Sequence, residues 1–186
     1  MRATSPRQIA SILAPALFLA SAPLRAGDSP VGTKAPEWEA AHWLNSKPLA
    51  LEGLRGKVVL VRWWTAPGCP YCAATAPALN EFHERYGDKG LVVVGLYHHK
   101  SDAPLDPAAV RRSAEKFGFR FPVAVDPRWR TLRRWWLGGS DRKWTSVSFL
   151  IDRGGVVRFV HPGGQRARGD KVYEVLKAKA EELLKE

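Results

Sequence analysis

Cysteine is scarce in this chain, whose 186 residues contain two, Cys69 and Cys72. With no third thiol, these side chains pair with each other, with a partner's sulfur or with a metal ion. Acids are also few, because 18 Asp and Glu stand against 29 Lys and Arg and give a formal net charge of +11. Glycine-rich phosphate loops, repeats and low-complexity linkers are missing, so we expect no nucleotide site and one domain over residues 27–186.

The first 26 residues have the pattern of an export signal. Arg2 and Arg7 give a basic start, and residues 9–22 are apolar and small. The apolar run is short for a membrane span and is broken by Pro15, so we expect cleavage rather than a retained anchor. We therefore expect a soluble, exported protein that begins near Gly27, in the periplasm or another extracytoplasmic compartment where disulfides persist.

Positive charge is concentrated in residues 111–143, which hold ten Lys or Arg against three acids. Tryptophans are interleaved with these cations or follow them directly. Basic and aromatic side chains together are typical of nucleic-acid surfaces, but an exported protein rarely meets nucleic acid, so we expect none. We predict a solvated basic face, or weak contact with an acidic partner or a membrane surface. Of the adjacent Trp135 and Trp136, we expect one to be buried and one exposed, because neighbours on a helix face different ways.

The two cysteines lie between a predicted strand and a predicted helix. Residues 58–64 are apolar apart from Arg62, which is typical of a strand buried on both faces. Residues 73–86 carry apolar side chains at helical spacing, with Pro77 among them. A two-residue spacer brings two sulfurs within bonding distance in the first turn of a helix, where unpaired amides favour a thiolate.

The elements that follow predict a βαβ unit, then a hairpin and a closing helix. A strand that returns after a helix implies a right-handed crossover and parallel pairing. The predicted elements are a strand over 91–97, a helix over 107–117, a strand over 121–125, a helix over 126–136, strands over 146–151 and 156–160, and a helix over 170–184.

Together these segments resemble the thioredoxin superfamily, specifically its exported TlpA and ResA type of thiol–disulfide oxidoreductase. The matching pieces are Gly56-Lys-Val-Val-Leu-Val, Ala66-x-x-Cys69-Pro-x-Cys72, Pro77 and Phe149-Leu-Ile-Asp152-x-x-Gly155. They cover roughly residues 31–186. The resemblance implies an α/β, thioredoxin-like three-layer fold, with a central mixed β-sheet flanked by helices and an N-terminal lead-in extension, which here is residues 36–56.

The resemblance also implies the chemistry. Cys69, at the helix start, is the expected attacking thiolate, and Cys72, one turn further in and more buried, is the expected resolving thiol. The groove for the substrate is expected to be lined by Pro70, Tyr71, Thr145 and Ser146. No cofactor is expected besides the Cys69–Cys72 disulfide, and the expected partners are protein thiols or disulfides and an upstream reductant.

Three features depart from the family pattern. Ser146 stands at the position of the usual cis-proline, so we expect a trans Thr145–Ser146 bond and an altered groove, because a cis bond before a non-proline residue costs about 3 kcal/mol. Thr65 and Gly68 stand where the family favours tryptophan. No acid between residues 61 and 80 matches the buried proton carrier of many relatives.

The sequence leaves a metal site open as an alternative. Two thiolates and an imidazole suit Cu(I), and copper-delivering proteins of this superfamily hold the ion with such a set, although with a three-residue spacer. The ligands for a copper metallochaperone would be Cys69, Cys72 and a histidine from His98, His99 and His161.

Two further alternatives use the same cysteines. A peroxiredoxin-like peroxidase is favoured by Pro67, while Thr65 is one place from the family's threonine and Ser146 occupies its arginine position. A purely structural disulfide is the other, although so short a loop adds little stability.

Overall fold

A computed structural model, which describes residues 29–163 and 169–186, places the chain around one six-stranded mixed sheet. The predicted export signal, residues 1–26, lies outside the described residues. The strands are β1 Ala41–Leu44, β2 Val58–Trp64, β3 Leu91–Tyr97, β4 Val123–Val125, β5 Val147–Ile151 and β6 Val157–Pro162. Their order across the sheet is β1-β4-β3-β2-β5-β6. β2, β3 and β4 run parallel, whereas β5 is antiparallel to β2 and forms a hairpin with β6, as predicted.

Helices cover the sheet. They are α1 Pro70–Tyr86, α2 Pro107–Lys116, α3 Arg130–Leu132 and α4 Lys171–Leu183. The 3-10 turns are Glu52–Leu54, Gly87–Lys89 and Pro127–Trp129, and Arg133–Leu137 is a π turn. Within the described ranges, none of these helices is long and apolar enough to cross a membrane.

The core lies on both sides of β2, whose seven residues are all buried. Side chains alternate across a strand, so neighbours in β2 enter different cores. Trp64 faces the core formed with α1, α2 and α4, whereas Trp63 faces the core formed with the lead-in and the segment 130–137. These two cores separate three layers, which confirms the predicted fold class.

The lead-in extension is packed against the second core. Trp38 is 6% exposed and donates from Nε1 to the Leu49 carbonyl at 2.8 Å. Its ring lies 6.3 Å from Trp43 and 6.4 Å from Trp135, measured between centroids. The lead-in is therefore part of the domain.

The helix predicted over 126–136 is instead a composite, and the prediction that only one of Trp135 and Trp136 is buried was wrong. Arg128 and Trp129 adopt positive φ values of 54° and 60°, which interrupt the helix. A π turn follows, closed by a 2.7 Å bond from the Gly138 amide to the Arg133 carbonyl. The irregular backbone lets both rings pack on Phe149, at 5.4 Å and 6.1 Å.

This irregular segment is tied to the sheet by a buried carboxylate, Asp126. Its oxygens accept hydrogen bonds from Trp63 Nε1 at 2.9 Å and from the amides of Thr131 and Leu132 at 2.9 and 2.8 Å. Burial raises the pKa of Asp126, and the three donors oppose that shift. The carboxylate thus joins β2 to the start of the segment that carries Trp135.

We predict that Asp126→Asn lowers the free energy of unfolding by about 2 kcal/mol, because an amide has one acceptor oxygen and its NH2 group would face a donor. Urea unfolding at pH 7 with the disulfide intact measures this. The matched control is Asp141→Asn at an exposed position, where the change should stay within about 0.5 kcal/mol. Equal midpoints for the wild type and Asp126→Asn would contradict the role given to this carboxylate.

Candidate active site

The two cysteines lie where β2 gives way to α1. Cys69 is the N-cap of α1, and Pro70 takes the first helical position, where the missing amide is not needed. The two sulfurs form a disulfide with an S–S distance of 2.12 Å and a Cα–Cα distance of 5.3 Å. Of the three possibilities that the two cysteines left open, the structure therefore shows the first, in which they pair with each other.

The two sulfurs differ in their surroundings. Cys72 is 2% exposed, whereas Cys69 is only partly buried and lines a surface cavity. The Cys72 amide points at Cys69 Sγ over 3.2 Å. A donor at a helix N-terminus stabilises negative charge on the sulfur it faces, so the arrangement favours a thiolate on Cys69. The predicted difference in burial between the two cysteines is confirmed.

The loop before Cys69 is fixed by Tyr97 at the end of β3. The Tyr97 hydroxyl donates to the Ala66 carbonyl at 3.1 Å, and burial raises the pKa of the phenol, which keeps its proton. The loop contains a cis Ala66–Pro67 bond and a left-handed Gly68 with φ 79°. Gly68 tolerates this conformation because it has no Cβ. The position of Cys69 thus depends on both neighbouring elements, β2 and β3.

Across the cavity from α1 lies the segment that leads into β5. Thr145 is 8% exposed and Ser146 is partly exposed, and their peptide bond is trans, as predicted. Arg62, in the middle of β2, donates from Nη1 to the Ser146 carbonyl at 3.2 Å and to Ser148 Oγ at 3.3 Å. Burial lowers the pKa of Arg62 to about 10. A buried side chain of β2 therefore helps to hold the backbone that faces the disulfide.

The cavity has a volume of about 550 Å³ and contains all four predicted groove residues, Pro70, Tyr71, Thr145 and Ser146, beside Cys69. Sequence reasoning missed further lining residues: Thr65, Pro67, Gly68, Lys100, Lys143, Trp144 and Gly163. Lys100 follows the end of β3, and this position alone could have suggested it, because the carboxyl ends of parallel strands share one edge of a sheet. Lys143 and Trp144 carry no local sequence signal for this cavity.

The three candidate histidines do not join the sulfurs. In the described ranges, no group of three or more His, Cys, Asp or Glu side chains is placed to hold a metal ion. His98 is fully buried against Trp129, with ring centroids 5.2 Å apart. His99 contacts the Tyr97 hydroxyl and the Ala103 carbonyl, and His161 lies on β6 opposite Ser148.

The buried carboxylate of Asp126 also lies away from the cavity beside the disulfide. Among the described residues, Asp126 is the one buried carboxylate, and it does not line the cavity. Its oxygens are used by Trp63, Thr131 and Leu132. The absence of an acid between residues 61 and 80 is therefore not offset by a buried acid from another part of the described chain.

The chain matches a known protein family over the residues that form the candidate site. A sequence model described as Redoxin matches residues 30–177. The chain belongs to the Redoxin family. The match spans the strand, the cysteine motif and the hairpin, so the redoxin domain includes the whole candidate site.

Two curated relatives of this redoxin domain are similar over part of their length. Thiol-disulfide oxidoreductase ResA of Bacillus thuringiensis (strain Al Hakam) is 30% identical over 127 residues, which are 68% of this chain and 66% of ResA. Protein DipZ of Mycobacterium tuberculosis (strain CDC 1551 / Oshkosh) is 34% identical over 124 residues, which are 65% of this chain and 17% of DipZ. The chain thus spans about two thirds of one relative and a small part of the other.

Solved structures agree on the fold of the redoxin domain. A thiol-disulfide isomerase from Corynebacterium glutamicum is 32% identical, with a TM-score of 0.63 over 82% of this chain and 97% of its own. A putative thiol:disulfide interchange protein DsbE from Chlorobium tepidum is 28% identical, with a TM-score of 0.66 over 83% of this chain and 97% of its own. The names of both proteins refer to thiol–disulfide chemistry.

We predict that His98 makes the stability of the redoxin domain depend on pH. Burial, aided by the charge of Lys100, lowers the pKa of His98 from 6.5 to about 3. The unfolded chain therefore binds a proton that the folded chain does not, and stability is lost as pH falls from 6.5 towards 3, by about 1.4 kcal/mol per pH unit. Phenylalanine keeps a buried aromatic ring of similar size against Trp129, so His98→Phe should fold and lose this dependence.

Urea unfolding of both proteins between pH 7 and pH 4 gives the two slopes. The control is His83→Phe on the partly exposed face of α1, which should keep the wild-type pH dependence. Parallel slopes for the wild type and His98→Phe would show that His98 is not the group responsible.

Proposed function

We propose that this protein is an exported thiol–disulfide oxidoreductase that acts on protein disulfides through Cys69 and Cys72. The observation that carries the proposal is the asymmetry of the pair. Cys69 caps α1 at the wall of an open cavity, and Cys72 is buried one turn behind it. The first sulfur is reachable by a partner, and the second is reachable by the first.

The reaction follows from this arrangement. In the reduced protein, the Cys69 thiolate attacks one sulfur of a substrate disulfide, and the other substrate sulfur leaves as a thiolate that takes up a proton. The resulting mixed disulfide is broken when Cys72 gives up its proton and attacks Cys69 Sγ. The protein then holds the Cys69–Cys72 disulfide, the substrate has gained two electrons, and an upstream reductant restores the dithiol.

The residues around Cys69 have distinct parts in this reaction. The amides at the start of α1 stabilise the Cys69 thiolate, both as attacking group and as leaving group. Pro70 and Tyr71 on one side, with Thr145 and Ser146 on the other, contact the substrate chain next to its sulfur. The Tyr97 hydroxyl and the Arg62 guanidinium hold the two sides of the groove at Ala66 and Ser146.

Export is supported by the sequence before the domain. Residues 1–26 combine a basic start, an apolar run and small residues before Gly27. Protein disulfides, the proposed substrates, persist in the extracytoplasmic compartments that an exported protein reaches. Names of relatives such as ResA and DsbE support the same class of reaction.

We predict that Cys72→Ser traps the mixed disulfide and that Cys69→Ser does not form it. Without Cys72 the intermediate has no internal thiol to release it, whereas without Cys69 the remaining sulfur is buried. Both variants should lose turnover of insulin disulfides to the background given by dithiothreitol alone. Non-reducing electrophoresis and mass spectrometry of the trapped adduct provide the measurement. Trapping by Cys69→Ser at the level of Cys72→Ser would reverse the roles assigned to the two cysteines.

Export is tested separately by sequencing the N-terminus of the protein recovered from the extracytoplasmic fraction of cells. We expect the chain recovered from the extracytoplasmic fraction to begin near Gly27. Recovery of the intact chain from Met1 in the cytoplasmic fraction, with none outside, would contradict export and leave the dithiol chemistry in place.

A further inference from the structure

In the part of the chain that the structure describes, two cations, Lys100 and Lys143, line the cavity beside Cys69, and thiol–disulfide exchange as such does not require them. Lys100 and Lys143 are both exposed, and neither ammonium has a salt-bridge partner in the ranges 29–163 and 169–186. Among the described residues, no acid lines this cavity. Other cations of the basic stretch are paired: Arg120 with Glu84, and Arg130 and Arg134 with Glu39. The two groove lysines are thus available to a ligand.

The sheet topology places these lysines on opposite sides of the reactive sulfur. β2, which leads to Cys69, lies between β3 and β5. Lys100 comes after the end of β3, which is parallel to β2, and Lys143 precedes the start of β5, which is antiparallel to β2. Both lysines therefore lie at the edge of the sheet where Cys69 lies, one on each flank.

Two exposed aromatic side chains complete the groove. Tyr71 is 55% exposed and Trp144 is 67% exposed, and both line the cavity. The Trp144 backbone is held by Trp136, whose Nε1 donates to the Trp144 carbonyl at 2.8 Å. One face of the Trp144 ring lies over Gly163, where an added Cβ would come within 3.3 Å of the ring. The rest of this indole is exposed in the same cavity as Tyr71 and Cys69, so a bound chain could cover it.

We propose that this groove selects protein segments in which the reactive cysteine has carboxylates on both sides. This proposal rests on the proposed function and adds its substrate class. An extended chain that passes Cys69 would bring side chains before and after its own cysteine to Lys100 and Lys143, while its apolar groups contact Tyr71 and Trp144. The lysines lie in a concave cavity of about 550 Å³, which suits a chain segment better than the flat surface of a membrane.

The selectivity comes mainly from the rate of encounter. Exposed ammonium groups attract carboxylates over a distance of about a Debye length, which raises association rates at low ionic strength. The same attraction is screened by salt. A segment with lysine around its cysteine would be repelled, so the order of preference is acidic, neutral, basic.

The test uses three peptide disulfides that differ in one residue type. Each is a symmetric dimer of Ac-Gly-X-Ala-Cys-Ala-X-Gly-NH2, with X as Glu, Gln or Lys. Fully reduced protein transfers two electrons to one dimer and releases two peptide thiols, which are quantified by stopped-flow mixing, acid quench and chromatography. Rate constants are measured at low and high ionic strength for the wild type, Lys100→Gln/Lys143→Gln, and the control Lys116→Gln, an exposed lysine of the same basic stretch on α2.

We expect the wild type to reduce the Glu peptide about fivefold faster than the Gln peptide at low ionic strength, with the ratio falling as salt rises. In the double variant the ratio should approach one, and in Lys116→Gln it should stay at the wild-type value. Equal rates for the Glu and Gln peptides in the wild type would overturn the proposal while leaving the oxidoreductase function intact. So would a ratio lost equally in Lys116→Gln, since it would show a general effect of net charge.

Other results would contradict the proposed function itself, the protein substrate or the role of the lysines. If reduced protein reacts with none of the three peptides, both the proposed function and the selectivity that rests on it are wrong. If oxidised glutathione, which is acidic but short, reacts faster than the Glu peptide, the occupant is a small disulfide and the proposed protein segment is wrong. Binding to anionic vesicles that disappears in the double variant, without any peptide preference, would assign the lysines to a membrane surface instead.

Discussion

The arrangement of the site depends on the complete burial of β2. All seven residues of this strand are buried, and its last two, Trp63 and Trp64, enter different cores. Large aromatic side chains that face opposite ways prevent the strand from shifting by one residue, because such a shift would exchange the two faces. The end of β2 is therefore fixed, and Cys69 follows it after a loop of four residues, 65–68.

Hydrogen bonds then fix the two backbone segments that form the sides of the groove. Tyr97 fixes the Ala66 carbonyl before Cys69, and Arg62 fixes the Ser146 carbonyl across the groove. Arg62 is 1% exposed, and burying a cation is costly unless its donors are used. Its contacts to Ser146 and Ser148 provide acceptors and link the core of the sheet to the wall of the active site.

Much of this could be predicted from the sequence, because the strongest patterns are local. The buried run of β2, the helix after Cys69 and the glycine turn before Val156 each follow from residues that are close in sequence. The segment 127–137 was not predictable in this way, because two residues with positive φ and a π turn replace the expected helix. Their cause is tertiary: Asp126 bonds to Trp63, and the rings of Trp135 and Trp136 pack on Phe149.

The candidate site was likewise predictable where its residues are close in sequence and not where the fold brings them together. Residues 69–72 are contiguous, and the resemblance added Thr145 and Ser146. Cys69, Pro70, Tyr71, Thr145 and Ser146 meet at one cavity, and Cys72 is buried behind Cys69. Lys100 and Lys143 were absent from the predicted groove, because they are brought together by strand order and not by spacing. For the histidines, residue type suggested metal ligands that the fold does not bring together. The burial of His98 and the position of His161 on β6 keep them from the sulfurs.

The measurement that tests the account most directly is limited alkylation of the reduced protein, with the labelled cysteine identified by mass spectrometry. A short pulse of iodoacetamide at pH 6, followed by denaturation and a second isotopic label, gives the reactivity of each thiol in the folded state. Cys69 should take the first label at least about tenfold faster than Cys72, because its thiolate is both stabilised and accessible. Equal labelling, or faster labelling of Cys72, would contradict the asymmetry on which the proposed mechanism depends.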